Sequence, residues 1–177
     1  MPLCFAYGSN MDRAAMAGRC PASKPVGTAR LMRHRFVITR DGYASVVRDL
    51  RRVTWGVLWD LAFGDVPTLD RYESVASGLY VKVSQVVLTD GGPKRALVYM
   101  ARGAGAGTPR PGYLEGVIAA ASEAGLPPNY VREIEMLLPK AAGTWPAAES
   151  APATAVQPRW SAPAAQGRLA KPWVDEP

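Results

Sequence analysis

The sequence predicts a single α+β domain in which β-strands come first and helices follow. Between residues 3 and 100, short runs with the alternation or apolar density of strands are separated by Gly, Asp and Pro turn signals. After residue 110, apolar residues recur at helical spacing in two segments. With 177 residues, of which 48% are hydrophobic, the chain can bury one ordinary core.

The first strand is predicted at Leu3–Tyr7 and stops at Gly8, Ser9 and Asn10, a cluster that ends strands and opens tight turns. Met11–Met16 is expected to follow as a short helical turn, with Ser9 or Asn10 as its N-cap. A strand that stops at a glycine turn before a helix leaves backbone N–H groups free to bind a carboxylate or phosphate. The same spacing also suits a plain turn, in which Gly8 only permits the bend and Asn10 only caps the helix.

Alternation and turn signals define the elements up to residue 100. Residues 18–26 predict a loop because they include two prolines, and Asp41-Gly42 predicts a hairpin turn. Gly56 lies inside an apolar strand and predicts a bulge or the close approach of another backbone. Pro67 suits the first turn of a helix within Ala62–Ser74. The predicted strands are Gly27–Thr39, with Leu31 and Phe36 on opposite faces, then Ala44–Val47, Val53–Leu61, Leu79–Leu88 and Lys94–Met100.

The last third of the chain predicts two helices and then an extension. The helices are expected at Pro111–Ala124 and Asn129–Leu138, with Gly125 ending the first. From Pro139 onward Ala and Pro dominate, and strand and helix periodicity both disappear. We therefore predict a folded domain at residues 1–140 and a poorly structured extension at 141–177 whose three tryptophans could pack on the domain.

Composition excludes several classes of protein. No apolar run reaches the length of about 18 residues that a membrane-spanning helix needs, and the N-terminus lacks a basic segment followed by an apolar one. The two cysteines, Cys4 and Cys20, are too few for a disulfide framework or a zinc site. These features predict a cytoplasmic protein in a reducing compartment, without a membrane partner.

The net charge of +6 raises the question of nucleic acid as a partner. Basic residues near aromatic ones, here Phe36 and Trp55, can bind single-stranded RNA or DNA. The charges are spread over several strands and loops without a compact run, which favours a solvated basic face. A nucleic-acid-binding module is kept as the alternative. The arginines concerned are Arg30, Arg33, Arg35, Arg40, Arg48, Arg51 and Arg52.

The catalytic candidates narrow to the carboxylates. The single histidine, His34, lies in mid-strand without a nucleophile motif, and no cluster of His, Cys and acidic residues predicts a metal site. Glu73 differs from the other acidic residues because its neighbours Tyr72 and Val75 are aromatic or apolar. A half-buried carboxyl there would have a raised pKa, which suits a base near neutrality. An ordinary exposed helix glutamate is the alternative interpretation.

Four stretches resemble the γ-glutamylcyclotransferase (AIG2-like) family, in the family's order. Phe5-Ala6-Tyr7-Gly8-Ser9-Asn10 resembles its signature loop, and Trp55–Trp59 resembles its central strand. Leu69–Tyr80 is similar to the segment with the catalytic glutamate, and Pro111–Tyr130 to the C-terminal helix pair. The resemblance covers residues 3 to about 139. It departs from the family at Ser74, where a glycine is expected.

The resemblance implies a small mixed β-barrel, or a strongly curved sheet, flanked by helices. It also implies cyclisation of a γ-glutamyl amide to 5-oxoproline with release of an amine, without a cofactor. Glu73 would be the general acid and base, and Tyr7, Gly8, Ser9 and Asn10 would hold the glutamyl end of the substrate. Tyr99 would line the pocket.

The leaving amine stays open at this point. A γ-glutamyl amino acid is the first expectation, and a γ-glutamylamine or a γ-glutamyl-protected biosynthetic intermediate is the alternative. The oligomeric state is also open, with a homodimer among the alternatives.

Overall fold

Five strands form a closed barrel in the computed structural model, which describes residues 1–103 and 105–139. The order around the barrel is β1-β3-β2-β4-β5, and the predicted mixed barrel with flanking helices is thereby confirmed. The predicted extension at 141–177 lies outside the described residues. The strands are β1 Leu3–Ala6, β2 Lys24–Ile38, β3 Ala44–Asp60, β4 Tyr80–Thr89 and β5 Gly92–Ala101, and the helices are α1 Arg13–Arg19, α2 Val66–Tyr72, α3 Tyr113–Glu123 and α4 Pro128–Glu135.

The first strand, β1, closes the barrel. It pairs antiparallel with β3, with Leu3 opposite Asp60, and parallel with β5, with Leu3 opposite Ala96. The other pairs are antiparallel, and β2 and β3 form a long hairpin around the predicted turn at Asp41-Gly42. Because closure leaves β1 paired on both sides, the turn that follows it is held at the end of a fixed strand.

The predictions of two separate strands at Ala44–Val47 and Val53–Leu61 are wrong, because β3 is continuous over 17 residues. His34 pairs with Arg48 and Met32 pairs with Val53, so residues 49–52 bulge out opposite Arg33. The polar residues that suggested a break therefore form the bulge. Strict alternation along β2 is wrong for the same reason.

The irregular backbone at Arg33 on β2, opposite this bulge, changes which side chains of β2 face inward. Arg33 has a φ of 60°, and the register shifts between Met32 and His34. As a result Phe36 and Ile38 pack with the same core as Leu31, although strict alternation placed them on the opposite face.

The predicted helical turn at Met11–Met16 is wrong in its start and its cap. A 3-10 turn occupies Ser9–Met11, and α1 begins only at Arg13. Asp12 is the N-cap, and its carboxylate accepts hydrogen bonds from the N–H groups of Ala14 at 2.8 Å and Ala15 at 3.0 Å. The predicted loop at 18–26 is also too long, since α1 continues to Arg19 and β2 begins at Lys24.

The close approach predicted at Gly56 is confirmed. A Cβ atom at this position would collide with the carbonyl oxygen of Ala6 and would lie 2.9 Å from the ring of Phe5. Only glycine lets β3 pass this close to the end of β1. The core inside and beside the barrel is continuous and includes Phe5, Leu31, Leu58, Val98, Leu114 and Ile134. Among the described residues, no helix is long and apolar enough to cross a membrane.

Candidate active site

The turn after β1 meets the end of α2, although the two are 63 residues apart in the sequence. The Asn10 side-chain Nδ2 donates a hydrogen bond to Glu73 Oε1 at 2.6 Å. Asn10 is buried, and Glu73 is partly buried. The structure therefore brings together the loop and the carboxylate that the sequence analysis selected separately.

The turn itself is compact because Gly8 has no side chain. A Cβ atom there would lie 3.2 Å from the hydroxyl oxygen of Tyr113 and 3.3 Å from the Cβ of Ala44. Met11 N–H donates to the Gly8 carbonyl and Asp12 N–H donates to the Ser9 carbonyl. The N–H groups of Gly8, Ser9 and Asn10 take part in neither bond, as is general for the first turn of a helix.

Glu73 lies at the end of α2, where its backbone N–H still bonds the carbonyl of Leu69. Burial raises the pKa of the Glu73 carboxyl from 4.5 to about 7, and the Asn10 hydrogen bond and the charge of Arg19 oppose that rise. A carboxyl with this pKa exists in both protonation states near neutrality. It can therefore accept a proton in one step and return it in the next.

Arg19 and Tyr72 form the side of the site next to α1. The Arg19 guanidinium donates from Nη1 to Asn10 Oδ1 at 2.7 Å. Its Cζ lies 3.9 Å from the centroid of the Tyr72 ring, within cation–π range. The Tyr72 hydroxyl is 3.2 Å from Ser9 Oγ, which ties α2 to the turn a second time.

Tyr7 and Tyr99 connect the turn to β5. The Tyr7 hydroxyl donates to the carbonyl oxygen of Tyr99, and the Tyr99 hydroxyl donates to Asp70 Oδ1 at 2.7 Å. Asp70 lies one turn before Glu73 on α2, and its other oxygen accepts from Lys82 Nζ at 2.6 Å. Burial, and then the negative charge of Glu73, raise the pKa of the Tyr7 hydroxyl, which therefore stays protonated.

On the opposite side of the site, the hydroxyls of Tyr80 and Tyr113 both hydrogen-bond the backbone of Ala44 on β3. The Tyr80 hydroxyl donates to the Ala44 carbonyl at 2.7 Å, and the Ala44 N–H donates to the Tyr113 hydroxyl at 3.1 Å. Burial raises the pKa of both hydroxyls. The two tyrosines join β4 and α3 behind the Gly8 turn and keep that side of the site uncharged.

Sequence reasoning missed Arg19 and the supporting roles of Tyr80 and Tyr113. Arg19 fell inside a predicted loop, so nothing indicated that it would point toward Asn10. Tyr113 fell inside the helix predicted at Pro111–Ala124 and was given no role at the site. A tyrosine in a core segment is itself a signal, because its buried hydroxyl needs a partner.

The exposed arginines follow the β2–β3 hairpin rather than several unrelated strands and loops. Within this group, Arg35 lies 3.7 Å from Asp49 and Arg52 lies 3.6 Å from Glu133. Among the described residues, no group of three or more His, Cys, Asp or Glu side chains could hold a metal ion. Cys4 and Cys20 are both buried free thiols.

Comparison with protein families finds a match to the AIG2-like family over residues 53–134. This segment includes the second half of β3, all of α2, and Glu73. The γ-glutamylcyclotransferases of Bos taurus and Homo sapiens are each 27% identical to this chain over 148 residues. Each alignment covers 77% of this chain and 79% of the relative.

Comparison with solved structures agrees with these sequence matches. A structure named γ-glutamyl cyclotransferase superposes with a TM-score of 0.74 and 25% identity, covering 81% of this chain and 92% of that one. The crystal structure of an uncharacterised protein from Homo sapiens superposes with a TM-score of 0.72 and 26% identity, covering 81% of this chain and 91% of that one. Both superpositions support the same fold for this chain.

Proposed function

This chain belongs to the γ-glutamylcyclotransferase (AIG2-like) family, and we propose that it cyclises γ-glutamyl amides to 5-oxoproline. The relatives that carry this activity in their names support the general reaction. The observation that carries the proposal for this chain is the 2.6 Å hydrogen bond between Asn10 and Glu73. It joins a turn able to hold a glutamyl group to a carboxyl able to exchange a proton.

Glu73 serves as general base and then as general acid. The ionised carboxylate takes a proton from the α-ammonium of the substrate, and the freed amine attacks the γ-carbonyl carbon. A new C–N bond closes the five-membered ring and gives a tetrahedral intermediate with a negatively charged oxygen. Protonated Glu73 then gives its proton to the leaving nitrogen, and the oxyanion re-forms the carbonyl as the original C–N bond breaks, which restores the carboxylate. The ring nitrogen loses its extra proton to the released amine, which departs as an ammonium ion.

The turn at residues 7–10 holds the glutamyl end. The backbone N–H groups of Gly8, Ser9 and Asn10 are suited to an α-carboxylate or to the developing oxyanion. Tyr7 and Tyr99 are neutral, hydrogen-bonded side chains and form the wall between the turn and α2. Neither has to lose a proton for the reaction to proceed.

Intramolecular attack explains how so few groups suffice. Nucleophile and electrophile belong to one substrate, so holding it folded supplies much of the rate enhancement. Such orientation contributes on the order of 7 kcal/mol or more in favourable cases. A compact turn with Gly8 at its tightest point suits this task better than a wide cleft.

The test is a substrate panel with 5-oxoproline and the released amine both quantified. γ-Glutamyl dipeptides, glutathione and γ-glutamylamines are compared at equal concentration. Release of both products from γ-glutamyl dipeptides supports the proposal. Turnover of γ-glutamylamines alone would move the activity to the alternative substrate class, and absence of 5-oxoproline from all three classes would overturn cyclisation.

A further inference from the structure

Arg19 occupies a position that the reaction above does not use directly. It is the last residue of α1, and Asp12 fixes the start of that helix by accepting from two backbone N–H groups. The side chain reaches back from the end of α1 to the turn before it. There its guanidinium contacts the Asn10 side chain and the ring of Tyr72 at the same time.

The direction of these bonds has a consequence for Glu73. A guanidinium can only donate hydrogen bonds, so Asn10 has to turn its Oδ1 toward Arg19. The NH₂ end of the same amide then faces Glu73 and donates to it at 2.6 Å. A donor at this place favours the ionised carboxylate, whereas the Oδ1 end of a reversed amide would favour the protonated acid.

We propose that Arg19 is a positioning residue that fixes the orientation of the Asn10 amide and so keeps Glu73 in its base form. The kinetic consequences of this inference rest on the proposed function, whereas its predictions for the orientation of Asn10 and the pKa of Glu73 do not. Stacking on Tyr72 limits the movement of the guanidinium, and Tyr72 is held at its other end near Ser9. Arg19, Asn10 and Glu73 therefore form a chain of two donated bonds.

The other titratable groups described near Glu73 are either neutral or already paired, which makes Arg19 the candidate for this positioning role. Five neighbouring side chains are neutral, and burial raises the pKa of each: Cys4 on β1, Tyr7 directly after β1, Tyr80 on β4, Tyr99 on β5 and Tyr113 on α3. The ionisable neighbour on α2, Asp70, is paired with Lys82 on β4 at 2.6 Å. The charge of Arg19 opposes the rise in the pKa of Glu73, as expected for a cation in this place.

The experiment replaces Arg19 and follows the pH dependence of kcat/KM for 5-oxoproline release. Arg19→Met keeps the length of the side chain but removes its charge and hydrogen-bond donors. Arg19→Lys keeps a positive charge and donors in a differently shaped side chain. Arg13→Met is the matched control, since Arg13 is exposed at the other end of the same helix. Arg19→Gln is the second variant if Arg19→Met does not fold, because its amide can present either end.

We expect Arg19→Met to lower kcat about tenfold or more and to move the ascending limb of the pH profile upward by about one unit. Arg19→Lys should return the limb to its original pH with part of the rate, and Arg13→Met should change neither. A fall in kcat with the limb unmoved would reduce Arg19 to a structural residue and overturn the proposal.

A second readout separates this inference from the proposed function. Carbon-13 NMR of the Glu73 carboxyl gives its pKa directly, with no substrate present. An upward shift in Arg19→Met relative to the original chain supports the positioning role, even if the chain forms no 5-oxoproline. An unchanged pKa of Glu73 overturns the positioning role, even if the chain is an active cyclotransferase.

Discussion

At the scale of single residues, opposed influences on Glu73 define the chemistry of the site. Burial disfavours the carboxylate, while the Asn10 amide and the Arg19 charge favour it, and the result is a pKa of about 7. The aromatic and apolar neighbours of Glu73 in the sequence were enough to predict the burial. They were not enough to predict Arg19, because a side chain that acts across a turn leaves no periodic signal.

Glu73 should make the stability of the fold depend on pH. Its pKa is raised from 4.5 to about 7, so the folded state binds the proton more tightly than the unfolded chain does. Stability should therefore be lost as the pH rises from about 4.5 through 7. At pH 8, Glu73→Gln should be more stable than the original chain by about 2 to 3 kcal/mol, and the gain should fade toward pH 4.

Urea unfolding of both chains between pH 4 and pH 8 measures this difference. Glu123→Gln, in the exposed part of α3, is the control for the substitution itself. A gain that is the same at every pH would mean that the Glu73 carboxyl is not desolvated.

Ser74 illustrates what family resemblance adds to residue-level reasoning. Glycine was expected here, and the structure gives Ser74 a φ of 52°, in the left-handed region that favours glycine. Its carbonyl accepts from Leu79 N–H, which turns the chain from α2 toward β4. The glycine expected from the family and the left-handed backbone observed here both follow from the same turn. Serine adopts this conformation at some cost in backbone strain.

At the scale of elements, local signals predicted turns better than strand boundaries. Asp41-Gly42, Gly56 and Pro67 behave as predicted, because each is limited by its own backbone geometry. The single long β3 was missed because its middle, residues 49–52, has no inward-facing residues and bulges away from β2. The pattern of side chains cannot reveal a strand where the pairing itself is interrupted.

Gly56→Ala tests the closest contact between β1 and β3. The added Cβ would collide with the Ala6 carbonyl oxygen, so the strands must separate next to the turn that holds the site. We expect a loss of about 3 kcal/mol or more in the free energy of unfolding, measured by urea denaturation.

Gly64→Ala is the matched control for this test, because a Cβ at Gly64 has no heavy atom within 4 Å. Its effect should be below about 0.5 kcal/mol. Equal losses in the two variants would show that backbone entropy, rather than the β1–β3 contact, determines the cost.

At the scale of the whole molecule, barrel closure is what creates the site. The Gly8 turn and Glu73 are joined only because β1 closes the barrel between β3 and β5, which carries the turn to the end of α2. No local pattern predicts a contact over such a separation, and the resemblance to the family supplied that prediction. The domain boundary at residue 140 and the roles of the site residues remain predictions.

The measurement that tests this account most directly is 5-oxoproline formation by Glu73→Gln. The amide has nearly the same shape and can still accept from Asn10, but it cannot take the substrate's proton. The variant should keep the circular dichroism spectrum and a cooperative unfolding transition, while kcat falls by about a hundredfold or more. Glu123→Gln should leave kcat unchanged. Full activity in a folded Glu73→Gln protein would contradict the central claim that one buried carboxyl performs the proton transfers.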